Sequence, residues 1–318
     1  MKNGRDNLTI IIPSHNEGKE VENTLASIRQ TAGNEVNVML VDDASDDGVC
    51  YRDVCNKYNS LYYRNDVRMG PARSRDLGVD MTGTPFFMTV DSHMRFYHND
   101  WWKRITDVVA SNPEALYCAN CKALDMHAEP MANKPHFGAF VDFMGEIEGK
   151  VLSPLWMRKD HFPTQELVEI PCILGATYAS SKRYWQHLKG LNGLNQYGHE
   201  EPYISIKAWM DGGKCHLIKD VEIGHLFRET FPYKVNVGYY VYNKLVIMET
   251  LLPDDMKNEL YNALRRQYGE HLREAMEIMI DNQAQLQSLH DYYQNTFKYG
   301  FEVFQQINSE YMRLSNNL

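Results

Sequence analysis

Short apolar runs alternate with segments of helical spacing along the first third of the chain. Residues 8–13, 36–41 and 84–90 have the length and composition of strands that are buried on both faces. Between these runs, residues 20–28 and 70–79 carry apolar positions at the spacing of one helix face. This alternation predicts βαβ units, and therefore a Rossmann-like α/β fold with a mainly parallel sheet flanked by helices.

The strand pattern resumes further along the chain. Residues 115–121 and 170–179 are typical of buried strands, and residues 216–219 and 221–225 are also strand-like. The segment between the first two, residues 122–169, has scattered glycines, prolines and aromatic residues without a clear period. We expect a long irregular excursion there, and such excursions in compact domains are more often functional than accidental.

After about residue 235 the pattern becomes helical to the end of the chain. Helical spacing predicts helices over residues 239–247, 256–268, 272–280 and 286–304. We therefore expect two regions: an α/β domain over residues 1–235 and a helical C-terminal appendage over residues 236–318. The pattern leaves open whether this appendage covers the sheet, builds a dimer contact or shapes a binding site.

Composition limits the class of protein. The chain has 318 residues, of which 43% are hydrophobic and 24% charged, as in soluble globular proteins. No apolar run approaches the roughly 20 residues of a membrane helix, and the first residues lack the apolar segment of a signal peptide. We expect a cytoplasmic protein without a membrane partner. A net charge of −9 argues against a broad nucleic-acid-binding face, although not against a local basic groove.

The six cysteines do not suggest a disulfide framework in a chain of this length. Cys118 and Cys121 form a C-x-x-C pair, but no second pair lies near enough to complete a four-cysteine zinc site. We expect buried or half-buried thiols rather than metal or redox chemistry.

An aspartate and a histidine follow the apolar run at residues 84–90. Asp91 and His93 are two residues apart, so in an extended segment they point to the same side. The carboxyl ends of parallel strands are where open α/β sheets hold ligands. One carboxylate and one imidazole there make half of a divalent-metal site. Taken alone, the pair fits equally a turn cap followed by an ordinary polar histidine.

Phosphate-binding glycine loops are absent from the sequence. Neither a Walker-type loop nor a G-x-G-x-x-G turn follows the first strand. A bound phosphate would therefore be held by arginines and a metal ion. Arg68, Arg73 and Arg75 open the helical segment at residues 70–79 and are candidates for this role, or else they pair with nearby acids on a solvated helix.

Several motifs occur in an order that resembles one known family. They are IPSHNE at residues 12–17, VDDASD at 41–46, RMGPARSR at 68–75, DSH at 91–93, YGHEE at 197–201 and GHLFR at 224–228. In this order they resemble the family-2-like glycosyltransferases with a GT-A fold. The chain looks most like the catalytic domain of the polypeptide N-acetylgalactosaminyltransferases, whose metal motif is also Asp-x-His. The resemblance extends from about residue 8 to residue 242.

The resemblance implies a divalent-metal site. Asp91, His93 and His225 would hold Mn²⁺ or Mg²⁺, and a mixed carboxylate and imidazole set suits Mn²⁺ better than a thiolate-seeking metal. The metal would neutralise charge on a leaving nucleoside diphosphate. Without the resemblance, His225 fits equally a buried histidine on a strand.

The resemblance also implies how the donor, a UDP-sugar, would be bound. Arg68 and Arg75 would bind the diphosphate or its ribose side, because guanidinium groups fit phosphate oxygens. Arg228 would belong to a mobile loop that closes over the diphosphate. Glu200 would act on the donor sugar or the acceptor hydroxyl, or it is a surface acid that opens a helix. The uridine would be contacted by the turn at Pro13 and Ser14 and by one of two adjacent acids, Asp42 or Asp43. Ser92 and Gly175 would lie beside the metal and the sugar.

Two segments depart from the family pattern. The family usually has Trp-Gly-Gly-Glu-Asn where this chain has YGHEE at residues 197–201, and an Ala-Gly-Gly run where it has Leu174-Gly175-Ala176. Both segments would touch the transferred sugar, so the donor is left open between a hexose and an N-acetylhexosamine. The sequence shows neither a C-terminal lectin domain nor a membrane anchor, and we therefore do not expect a Golgi-type secreted-protein substrate.

The prediction is a metal-dependent glycosyltransferase that moves a hexose or N-acetylhexosamine from a UDP-sugar to a hydroxyl group of a protein or glycan. The resemblance implies retention of configuration. Two alternatives stay open: a DNA glycosyltransferase acting on a hydroxymethylated base, whose binding would weaken steeply with salt, and a non-catalytic module that binds nucleotide sugars. The sequence does not decide the oligomeric state.

Overall fold

A computed structural model describes residues 6–131, 136–228 and 230–316 of the chain. Within these residues the strands are β1 (Leu8–Ser14), β2 (Asn37–Asp42), β3 (Leu61–Arg64), β4 (Phe86–Val90), β5 (Met94–Phe96), β6 (Leu116–Leu124), β7 (Ala139–Asp142), β8 (Ser153–Trp156), β9 (Leu167–Glu169), β10 (Thr177–Ser181) and β11 (Cys215–Leu226). The helices are α1 (Lys19–Ala32), α2 (Tyr51–Lys57), α3 (Pro71–Met81), α4 (Trp101–Ser111), α5 (Lys182–His187), α6 (Glu200–Asp211), α7 (Val237–Leu251), α8 (Asp254–Tyr268), α9 (Glu270–Asp281), α10 (Gln283–Thr296) and α11 (Glu302–Asn316). In these ranges no helix combines the length and the apolar character needed to span a bilayer.

Nine of the described strands form one sheet in the order β3-β2-β1-β4-β10-β6-β11-β5, with β9 paired to β11. β1 to β4 are parallel to one another. β6 and β11 run in the same direction as these four, because β10 is antiparallel to both β4 and β6. β5 and β9 run the opposite way. Six strands thus share one direction, which confirms the mainly parallel α/β sheet.

Some element boundaries differ from the sequence prediction. Only Thr177–Ser181 of the predicted strand at 170–179 joins the sheet, and the buried apolar residues before it form a loop. The two strand-like segments near residue 220 are one strand, β11, with an irregularity between Ile218 and Glu222. The excursion at 122–169 contains β7, β8 and β9, and its residues 132–135 lie outside the described residues. The three-residue strand β5 was too short to show a period.

Sheet topology brings distant segments to one edge. β1 and β4 are parallel neighbours, so Ser14 at the end of β1 lies near Asp91, which follows β4. The backbone N–H of Asp91 donates to the carbonyl of Ala176, 3.1 Å away, which holds the loop before β10 beside the end of β4. β11 is antiparallel to β5, with His225 opposite Met94. This register places residue 225 beside residue 93.

The C-terminal helices are present, although the predicted helix at 286–304 is divided into α10 and α11. α7 is buried over most of its length and belongs to the same hydrophobic core as the sheet. The Asn243 side chain on α7 donates to the carbonyls of Asn195 and Gly198 and accepts from the N–H of Asn195, at 2.8–2.9 Å. α7 therefore supports the loop that leads into Glu200. The division of the chain into two regions at residue 235 stays a prediction.

The cysteines are free thiols. Cys118 and Cys121 lie on β6 and are buried without a disulfide. Burial raises the pKa of the Cys118 thiol to about 12, so this thiol stays protonated and unreactive at neutral pH. The expectation of buried thiols is met for this pair.

Candidate active site

A cleft of about 370 Å³ opens at the edge where β1 and β4 end. Its volume falls in the usual range for small-molecule sites. Two candidates from the sequence, Asp42 and Arg73, do not line the cleft. The other predicted site residues do: Pro13, Ser14, Asp43, Arg68, Arg75, Asp91, Ser92, His93, Gly175, Glu200, His225 and Arg228.

Asp91, His93 and His225 form a cluster in this cleft. One ligand atom from each lies within 4.8 Å of the other two. The Nε2 atoms of the two histidines are 3.1 Å apart, and His225 Nε2 is 3.4 Å from Asp91 Oδ2. Neighbouring ligands of one octahedral ion, each at roughly 2.1 Å from it, are separated by about 3 Å. The spacing of these atoms therefore fits a single divalent cation.

The protonation states of the cluster also suit a cation. Burial lowers the pKa of His225, and the neighbouring His93 lowers it further, so His225 is neutral at pH 7. Burial raises the pKa of Asp91, but the hydrogen bond from His225 and the charge of Arg75 outweigh it and bring the pKa to about 2. A neutral imidazole and an ionised carboxylate are the forms that bind metals. Two imidazoles and one carboxylate leave further coordination positions open to other oxygen ligands.

Arg75 links the cation cluster to Glu200. Its guanidinium group lies 2.9 Å from Asp91 Oδ1 and 3.3 Å from Glu200 Oε1, and its side chain is only 6% exposed. The nearby acids and Tyr178 raise its pKa despite burial, so it stays charged. The other Glu200 oxygen accepts from the N–H of Gly198 at 3.0 Å. The buried Arg75 side chain on α3 thus holds in place both Asp91, which follows β4, and Glu200, in the first turn of α6.

A basic and aromatic end of the cleft lies beyond Ser14. The Arg68 guanidinium stacks on the Tyr233 ring, 4.5 Å from its centroid, and His15 contacts the same ring edge-on at 5.6 Å. The Asp43 carboxylate accepts from the N–H groups of Met69 and Gly70 at 2.8 and 2.7 Å, which fixes the loop that carries Arg68. This end presents a flat ring, a guanidinium group and a rigid loop.

Asp42 does not take part in the cleft. Its carboxylate is enclosed and accepts from Tyr62, Arg64 and the backbone of Ser45. This placement corrects the prediction that Asp42 contacts a nucleotide, and of the two adjacent acids only Asp43 reaches the cleft. Strand alternation explains the difference, because successive side chains point to opposite faces.

Ser92 and Gly175 shape the floor of the cleft. The Ser92 hydroxyl donates to the Pro13 carbonyl at 2.7 Å, so it joins the ends of β1 and β4. A Cβ atom at position 175 would lie 2.8 Å from Glu201 Oε1. Glycine at this position therefore lets the Glu201 carboxylate approach the backbone of the loop before β10.

The cleft contains residues that the sequence analysis did not single out. Two of them, His15 and Glu17, belong to the motif at residues 12–17 and follow β1. Tyr233 follows β11 and the motif at residues 224–228. The signal in the sequence was in each case the position after a strand. Four others lie inside the motifs at residues 197–201 and 224–228, although no role was assigned to them: Tyr197, His199, Glu201 and Phe227. Three carry no pattern of their own: Trp156, Phe231 and Tyr240.

Comparison with known proteins shows a likeness to one family. The model of the glycosyl transferase family 2 matches residues 9–166, just under half of the chain. This range contains β1 to β4 and the Asp91–His93 pair.

Curated relatives extend the similarity of this chain to the second half of the cleft. It is 28% identical over 278 residues to human polypeptide N-acetylgalactosaminyltransferase 10, with 84% of this chain and 45% of that protein aligned. It is 25% identical over 243 residues to polypeptide N-acetylgalactosaminyltransferase 4 of Caenorhabditis elegans, with 73% and 40% aligned. The chain therefore spans less than half the length of these relatives.

Solved structures show that the chain has the GT-A fold. A crystal structure of GalNAc-T7 with UDP, GalNAc and Mn²⁺ superposes with a TM-score of 0.75 at 16% identity, covering 96% of this chain and 57% of that one. A structure of residues 1–349 of S. aureus TarS with UDP-GlcNAc gives 0.53 at 13% identity, covering 96% and 92%.

We expect Glu201 to make the stability of the protein depend on pH. Burial, followed by the charge of Glu200, raises the pKa of Glu201 to about 8. A carboxyl group with a raised folded-state pKa loses stability as pH rises from its ordinary value through the folded value. We expect the melting temperature of Glu201→Gln, relative to wild type, to rise between pH 5 and 8 and to level off above that range. Thermal unfolding of metal-free protein measures it.

The exposed Glu148 supplies the control for this comparison. Its substitution by Gln is expected to leave the difference in melting temperature independent of pH. A difference for Glu201→Gln that is equally flat from pH 5 to 9 would show that Glu201 ionises normally.

Proposed function

We propose that this glycosyltransferase moves a hexose or N-acetylhexosamine from a UDP-sugar to a hydroxyl group, with Mn²⁺ or Mg²⁺ held by Asp91, His93 and His225. The observation that carries the proposal is the convergence of Asp91, His93 and His225 in the cleft, which also contains three arginines. His93 and His225 are 132 residues apart in the sequence, yet their Nε2 atoms are 3.1 Å apart. The likeness to structures that contain UDP with Mn²⁺ or UDP-GlcNAc supports the same donor class.

The cleft offers one site for each part of such a donor. The ring stack of Arg68 on Tyr233, with His15 and Asp43 alongside, suits a planar base and its ribose. The cation cluster and Arg228 suit the diphosphate, because guanidinium groups bind phosphate oxygens and the cation neutralises the charge of the leaving group. Glu200, Glu201 and Gly175 then face the sugar.

Catalysis in this arrangement rests on position and charge. Arg75 contacts Asp91 and Glu200 and fixes both side chains. Its charge helps to lower the pKa of Asp91 and offsets part of the rise that burial causes in the pKa of Glu200. Neither group therefore needs to reorganise when charge develops on the departing diphosphate. Arg228 lies at the end of β11, next to the segment around residues 230–233 that forms one wall of the cleft, and would hold the diphosphate while excluding water. We propose retention of configuration, as the family resemblance of the sequence implies, and the anomeric form of the product tests this outcome.

The acceptor is proposed to be a hydroxyl group of a protein or glycan. The names of the curated relatives support a polypeptide. A modified DNA base, the other acceptor that the sequence leaves open, gains no support from these relatives. The cytoplasmic location expected from the sequence stays a prediction.

Release of UDP tests the proposal. Purified protein is incubated with Mn²⁺, hydroxyl acceptors and a panel of UDP-hexoses and UDP-N-acetylhexosamines. We expect UDP release with at least one donor, its loss when EDTA is added, and its return with excess Mn²⁺. Omission of the acceptor controls for slow hydrolysis. No UDP release with any donor and acceptor, together with tight UDP binding, would favour the non-catalytic nucleotide-sugar-binding module instead.

A further inference from the structure

Glu17 lies beside the cluster of Asp91, His93 and His225, and it contacts His93 of this cluster and the cleft residue Arg228. Its Oε2 atom is 3.2 Å from Nδ1 of His93, and the same oxygen accepts from the Arg228 guanidinium group. The Glu17 side chain is only 7% exposed. Glu17 is therefore a buried acid that joins a cation ligand to a cleft arginine.

The loop that carries Glu17 is rigid. Asn16 has φ 57°, a left-handed conformation, and its N–H donates to the Ser45 hydroxyl at 3.0 Å. The N–H of Gly18 donates to the Tyr51 hydroxyl at 2.7 Å. Both residues flanking Glu17 are thus fixed to the loop and helix after β2, and these bonds hold the backbone from which the Glu17 side chain projects.

We infer that Glu17 is a positioning residue of the cation site: it orients His93 and couples the site to Arg228. This inference rests on the proposed function. A carboxylate that accepts from Nδ1–H fixes the His93 tautomer, leaves the lone pair on Nε2 and makes that nitrogen a better ligand. Nε2 is the atom that faces His225 in the cluster.

Arg228 gives Glu17 its second role. Because one carboxylate oxygen serves both His93 and Arg228, the arginine is held beside the cation cluster rather than in solvent. A diphosphate that enters the cleft meets Arg228 already within the site. Loss of the Glu17 charge is therefore expected to weaken both cation binding and the gain in UDP affinity that the cation provides.

Direct titration of Mn²⁺ tests the inference without turnover. We expect the Kd for Mn²⁺, measured by calorimetry or by the paramagnetic resonance of free Mn²⁺ in the absence of nucleotide, to rise about 10-fold in Glu17→Gln and up to about 100-fold in Glu17→Ala. The increase in UDP affinity on adding saturating Mn²⁺ is expected to shrink in both variants.

Glu20 supplies the matched control, three residues further on. It pairs with Arg95 at 2.6 Å and does not line the cleft, and Glu20→Gln is expected to leave the Kd for Mn²⁺ unchanged. Folded Glu17→Gln protein, checked by circular dichroism, that binds Mn²⁺ within twofold of wild type would overturn the inference, as would a lower melting temperature with unchanged Mn²⁺ affinity. Failure of the proposed function appears separately, as absent UDP release by wild-type protein that still binds Mn²⁺.

Discussion

Replacement of His225 by alanine is expected to lower sugar transfer by at least about 1,000-fold, equivalent to about 4 kcal/mol of transition-state stabilisation. The substitution removes one of three clustered ligand atoms and leaves Asp91 and His93 to hold a cation alone. Two ligands bind a divalent ion far more weakly, and charge on the leaving diphosphate is then less well neutralised. Initial rates of UDP release at saturating Mn²⁺, together with the Kd for Mn²⁺, measure the effect.

His216 provides the control on the same strand. It stacks on Tyr117, with ring centroids 5.4 Å apart, and does not line the cleft. We expect His216→Ala to lose some stability and to keep wild-type affinity for Mn²⁺. Transfer by His225→Ala at more than a tenth of the wild-type rate, with unchanged Mn²⁺ affinity, would be incompatible with a cation at this cluster. Intact nucleotide or partner binding without turnover in wild type would point to a non-catalytic module.

Replacement of Arg75 by methionine is expected to reduce both stability and activity. Methionine has a similar length but leaves Asp91 and Glu200 without their shared cation, and breaking a buried ion pair by removing one partner costs about 3 kcal/mol or more. We expect the melting temperature to fall by about 5 °C. The fall should be smaller with Mn²⁺ present, because the bound cation offsets part of the negative charge at Asp91.

Two further variants separate charge from packing at this position. Arg75→Lys keeps the charge but loses the fork that reaches both acids, so we expect it to recover part of the stability and little of the activity. Arg183 pairs with Glu114 on the surface, and Arg183→Met is expected to change stability by less than about 0.5 kcal/mol. An Arg75→Met protein as stable as wild type would show that the two acids are neutral or hydrated.

The sequence was sufficient for the N-terminal half of the sheet and for one side of the site. The apolar run before Asp91 is a buried central strand, and the spacing of Asp91 and His93 placed both at its carboxyl end. His225 was different. Nothing local to β11 distinguishes a ligand from a buried histidine, and only the resemblance to a family indicated it. Its proximity to His93 depends on the pairing of β11 with β5, a strand too short for any periodicity to reveal.

The remaining errors have similar physical causes. Residues 170–176 are apolar and buried, which is the composition of a strand, yet they form the loop that carries Gly175. Composition reports burial, not hydrogen-bonding pattern, so a buried loop and a strand are alike in sequence. Asp42 and Asp43 could not be told apart in the sequence, because both are acids at the end of a predicted strand. The structure shows which of the two side chains lies on the face of the cleft. Glu17 became visible only once Arg228 and His93 were placed around it.

The three hydrogen bonds from Asn243 to the loop at residues 195–198 have a practical consequence for redesign. Helix α7, which carries Asn243, fixes the loop that leads into Glu200 and Glu201, although Asn243 itself does not line the cleft. Libraries that vary only the cleft-lining side chains would therefore leave the backbone of this loop unchanged. Exchange of α7 together with the loop at residues 195–201 would keep the hydrogen bonds between them, whereas exchange of only one of the two would lose these bonds.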